Sequence, residues 1–114
     1  MKKIILIAAL LVSGVFFAQE VNPKFEIIDN MVKATYYYDN GQVKQEGTYL
    51  DGKLHGKWIS YTEFGSKQTM GEYDNGAKVG KWFFWSDRSL SEVDFSESKI
   101  DAVKKWSQDA LVNN

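Results

Sequence analysis

Apolar and polar residues alternate in short runs through most of this chain, and turn residues cut the runs at regular places. Residues 24–28 (KFEII) are a short strand candidate, closed by the turn pair Asp29-Asn30. Residues 31–38 (MVKATYYY) are rich in aromatic and β-branched side chains and too short to favour a helix. Beyond them, Asp39-Asn40-Gly41, Asp51-Gly52, Phe64-Gly65 and Asp74-Asn75-Gly76 are turn signals. Glycine and asparagine accept the positive φ that hairpin turns require. Between these turns lie 42–50, 57–62, 66–74 and 81–86, each of strand length, and a further strand is expected at 90–95. Strands joined by such short turns pair with their neighbours, so the pattern predicts an antiparallel meander.

The pattern also repeats. GTYLDGKLHGKW at 47–58 returns as GEYDNGAKVGKW at 71–82, with Gly47/Gly71, Tyr49/Tyr73, Gly52/Gly76, Gly56/Gly80, Lys57/Lys81 and Trp58/Trp82 each 24 residues apart. Gly41 and Tyr61 complete the repeat-defining set. A fixed period with glycines and aromatics at set offsets is the mark of a repeat architecture. Alternate strand residues share a face, so a glycine there leaves room for a neighbouring ring to lie across its backbone. Trp58 and Trp82 are expected to stack along the repeat axis, each buried ring contributing on the order of 2–3 kcal/mol.

The tail changes period. In 98–111, Ile100, Val103, Ser107, Ala110 and Leu111 fall at helical spacing with Trp106 at the stripe's edge, and Ser98 with Asp101 reads as an N-cap pair. A C-terminal α-helix covering the open end of the sheet is the expectation, since repeat arrays need caps.

Composition adds a compartment. Residues 1–18 have two lysines, an apolar run and Ala18 before a plausible cut, which reads as a secretory signal. The apolar stretch is short for a ~20-residue membrane span. A retained anchor is the alternative. Removing residues 1–18 takes the net charge from −1 to −3. The expected organisation is signal 1–18, lead and short strand 19–30, repeat domain 31–95 and helical tail 96–114. The mature protein is expected to be periplasmic or secreted. There is no cysteine to staple so small a domain. A mildly acidic chain without a basic cluster argues against nucleic acid as partner.

Tyr38-Asp39-Asn40-Gly41, the run from Gln45 to Tyr49, Asp51 to Trp58, and Gly71 to Trp82 resemble the bacterial variant of the MORN repeat over about residues 36–95. The resemblance implies an open or curled β-meander of hairpins. Some bacterial proteins of this kind are described as antitoxin components of toxin–antitoxin systems, and MORN repeats elsewhere as lipid binders or protein scaffolds.

Chemistry is sparse. His55 is the sole histidine, placed in an inter-strand turn, and Val79 holds its position one repeat later. Thiolate and multi-histidine metal sites are therefore excluded, and no cofactor is expected. The segments GKLHGKW and GAKVGKW have three residues between glycines, then Lys-Trp, where a phosphate loop needs four and a Ser or Thr. Glu92 and Asp94 share a strand face two residues apart, which leaves a carboxylate hydrolase as an alternative, although such alternation is usual on half-buried strands. A peripheral membrane role for the C-terminal helix is another. The favoured reading is a non-enzymatic binding or scaffold module of the bacterial envelope. Its candidate surface is Tyr36, Tyr38, Phe83 and Trp85, facing a protein, glycan or lipid, and its edge strands leave homo-oligomers open.

Overall fold

A computed structural model describes residues 21–107. Residues 1–20, with the expected secretory signal at 1–18, and residues 108–114 lie outside them. The strands are β1 (Lys24–Ile28), β2 (Met31–Tyr37), β3 (Val43–Leu50), β4 (Lys53–Tyr61), β5 (Lys67–Asp74), β6 (Ala77–Ser86), β7 (Ser89–Ser96) and β8 (Lys99–Ser107). They form one sheet in sequence order, every neighbouring pair antiparallel. The expected meander is present.

Turn chemistry sets this order. At one end of the strands, Asp51-Gly52 and Asn75-Gly76 form two-residue hairpins, with φ of 50° and 82° in the first and 49° and 91° in the second. That pair of positive angles follows the strand twist. At the other end, the loops at 38–42 and 62–66 share one bonding scheme. Gly41 donates to the Tyr38 carbonyl and Gly65 to that of Thr62, at 2.9 and 3.0 Å. The first loop is tied to the second: the Tyr38 hydroxyl donates to the Tyr61 carbonyl at 2.6 Å, and Asn40 Nδ2 to that of Glu63 at 3.1 Å.

Two strands begin earlier than the sequence pattern implies. β4 and β6 start at Lys53 and Ala77, directly after the two-residue turns, so His55 lies in a strand and not in a turn. Gly56 and Gly80 resemble turn glycines because they do adopt positive φ, 93° and 72°, but inside bulges. In β3–β4, Tyr49 pairs with Leu54 and Gly47 with Trp58, so three residues of β4 oppose Thr48 alone. The Thr48 hydroxyl fills that bulge by donating to the His55 carbonyl.

The bulge lays tryptophan over glycine. A Cβ built on Gly47 would stand 1.8 Å from the Trp58 ring, and one on Gly71 1.9 Å from the Trp82 ring. Along the same face, Ala34 pairs with Gly47, Gly47 with Trp58, Trp58 with Gly71 and Trp82 with Val93. Small and large residues thus alternate across the strands, and Ala34, Trp82, Val93 and Phe95 are the buried apolar side chains of the described residues. The tryptophans do not stack on each other. Tyr73 stands between them edge-on, 6.3 Å from Trp58 and 5.0 Å from Trp82, distances typical of aromatic pairs.

The capping helix is replaced by a strand. Glu97 and Ser98 take φ of 50° and 68°, which turns the chain back along β7. The open edge of β7 offers residues 99–107 a ladder of backbone bonds, while Ile100 and Val103 stay 62% and 61% exposed and lack a surface to bury a helical stripe. The helical spacing of those two residues has a β explanation. Ile100 pairs with Phe95 and Val103 with Val93, so a bulge puts residues three apart on one face. Ser98 is no N-cap: its Oγ accepts from the Lys78 amide at 3.0 Å, and Asp101 accepts from the Ser96 hydroxyl. Ala110 and Leu111 lie outside the described residues.

Candidate functional site

A single sheet has two faces, and the tryptophan–glycine row occupies one. The register puts a second set of apolar side chains on the other. Glu46 pairs with Ile59, Ile59 with Met70, Met70 with Phe83 and Phe83 with Glu92, so all five point the same way. One step along the strands, Trp85 pairs with Leu90 and Leu90 with Trp106. The Phe83 and Trp85 rings lie 6.1 Å apart, tilted by 30°. Among the described residues no second layer covers this face, so its rings are shielded only by their neighbours.

Charge frames the apolar strip. Lys81 Nζ is 3.2 Å from Glu92 Oε2, and Lys104 Nζ stands 5.7 Å from the centre of the Trp106 ring. At the loop end the strip opens into a groove of about 880 Å³, where Trp85, Phe64, Gln68, Ser66 and Asp87 converge. Phe64 is 88% exposed at its rim.

Two phenols are held in their neutral form. The Tyr61 hydroxyl donates to Glu46 at 2.7 Å, and that bond, with burial second, pushes its pKa up to about 12. The Tyr49 hydroxyl lies 3.2 Å from that of Tyr36, and this contact, again followed by burial, pushes Tyr49 up to about 12. A folded-state pKa raised above the unfolded value of 10.0 contributes stability that is complete below pH 10 and is lost as pH rises through about 12. Phenolate absorbance is therefore expected to rise late for these two tyrosines, with stability falling between pH 10 and 12. Tyr61→Phe should flatten part of that fall; an unchanged alkaline stability profile would count against the Glu46 bond.

The four residues singled out from the sequence do not form one surface. Phe83 and Trp85 sit together on the uncovered face. Tyr36 pairs with Gln45 in a row leading to Phe84, hence on the opposite face, where its ring meets Phe25 edge-on at 6.2 Å. Tyr38 is engaged in the loop tie to Tyr61, with Lys44 5.7 Å from its ring centre. Met70, Leu90, Phe64 and Trp106 were not singled out as surface candidates, although hairpin pairing with Phe83 and Trp85 was enough to find the first two. Glu92 and Asp94 do share a face, flanked by Lys81 and Lys104 around a hollow of about 170 Å³. His55 Nδ1 accepts from the Asn75 amide at 3.1 Å, so the histidine ties the Asn75-Gly76 turn back to β4 of the preceding unit. No group of three or more His, Cys, Asp or Glu able to hold a metal ion occurs among the described residues.

No family model matches this chain, and no match to it is found among curated proteins.

Proposed function

We propose that the protein is a non-enzymatic binding or scaffold module that holds its partner on the Phe83–Trp85 face. The observation that carries this reading is a strip of apolar rings on one face of a single-layered sheet, uncovered and continuous with a groove. Contiguous apolar surface of this sort marks interaction sites. The likeness to MORN repeats and the leader-like start of the chain support placing that role in the bacterial envelope, with a protein, glycan or lipid as partner.

Phe83→Ala and Trp85→Ala test it. Both lie outside the tryptophan–glycine row, so the variants are expected to keep the strand spectrum by circular dichroism. Pull-down from native envelopes with the tagged protein, followed by glycan and lipid screens, is expected to lose its specific partner in the folded variants. Retention at wild-type levels would remove the face from consideration.

A further inference from the structure

Large apolar side chains are left in solvent on both edge strands, Ile100 and Val103 on β8 and a larger group at the other end of the sheet. Phe25, Ile27, Ile28 and Val32, on the first two strands, are 59%, 82%, 42% and 37% exposed. β1 is the outermost strand there, so one of its two edges has no partner strand among the described residues. Ile28 and Met31 close a two-residue hairpin and exchange their backbone bonds inward. Alternation along the strand then directs the N–H and C=O of Lys24 and Glu26 to β2, and those of Phe25 and Ile27 away from the sheet. Pro23, next in the outward series, has no N–H to leave unpaired. The far edge is of another kind: β8 carries Lys99, Lys104 and Lys105, the charges by which edge strands repel further pairing.

We propose that β1 is the pairing strand of a two-fold dimer, in which a second copy of this chain lays its own β1 antiparallel along the free edge. Centring the axis on Phe25 sets the two phenylalanines side by side and Lys24 of each copy opposite Glu26 of the other. Opposite charges directly across a strand pair are favourable, whereas an axis centred on Glu26 would set two carboxylates face to face. Within one chain Lys24 Nζ is 3.3 Å from Glu26 Oε2, with both side chains at least 40% exposed, so they can exchange partners across the dyad. Both free β1 edges are consumed by the pairing, so assembly stops at two. A five-residue strand makes a small interface, and the dimer is concentration-dependent.

The chain has no cysteine, so Phe25→Cys gives the full-length protein a single thiol. Mild oxidation is expected to yield a disulfide-linked dimer, whereas Val103→Cys on the opposite edge strand should yield at least about tenfold less. Adding Ile27→Pro to Phe25→Cys removes an outward N–H but no β1–β2 bond, and should reduce the dimer by a similar factor. Glu26→Lys in the same background should weaken cross-linking, and the exchanged pair Lys24→Glu with Glu26→Lys should restore it. A monomeric Phe25→Cys, equal cross-linking through Val103→Cys, or an exchanged pair no better than Glu26→Lys alone would each overturn the proposal.

Discussion

Trp82→Ala is expected to cost about 3–5 kcal/mol, the range for deleting a large buried aromatic. Domains have about 5–15 kcal/mol of net stability, and small ones sit at the low end. The variant should therefore be largely unfolded or melt far below the wild type. Trp82 is 2% exposed, and its ring touches Tyr73, Phe84 and Phe95 at once. Its indole N–H also donates to the Glu72 carbonyl at 3.1 Å, so truncation removes that donor as well. Urea unfolding followed by far-ultraviolet circular dichroism measures the loss. A change below about 1 kcal/mol, typical of surface substitutions, would mean that the tryptophan row does not hold the sheet together.

Gly71→Ala is expected to be nearly as damaging, at about 1–3 kcal/mol or more, even though alanine ordinarily suits a strand interior better than glycine. The added methyl falls 1.9 Å from the Trp82 ring, closer than any real contact, and the ring has no free space to enter because Tyr73 and Phe95 flank it. A double-mutant cycle isolates this cause. In a Trp82→Val background the ring is gone, and Gly71→Ala should then be neutral or slightly stabilising. Coupling between the two sites should be at least about 1 kcal/mol. Additive effects would instead assign the glycine to backbone conformation, which its unexceptional φ does not require.

Strand existence was readable because the turns announce themselves. Asp51-Gly52 and Asn75-Gly76 are residue pairs that few other backbone conformations select, and the strands on either side follow. The Trp82-over-Gly71 contact was legible too, since a glycine recurring on the face of a recurring tryptophan has one obvious use. What failed had a common origin in the bulges. Gly56 and Gly80 have positive φ within strands and so imitated turn glycines. Ile100 and Val103 sit three apart on one sheet face and so imitated a helix stripe. An inserted residue changes the local period without leaving a mark of its own in composition. The candidate surface was half legible for a related reason: Phe83 and Trp85 share parity on β6, but relating Tyr36 to them requires the register of four intervening hairpins.

Neighbour-only pairing has a consequence for how the molecule comes into being. No strand waits for a segment made much later, so the entropy of closing long loops is never incurred and contact order stays low. A chain emerging N-terminus first can complete β1–β2 and then lengthen the sheet one hairpin at a time, each new strand templated on the edge before it. Every intermediate on that route carries an open growing edge. Among the described residues β8 is the last strand added, and its lysines discourage further pairing on that edge.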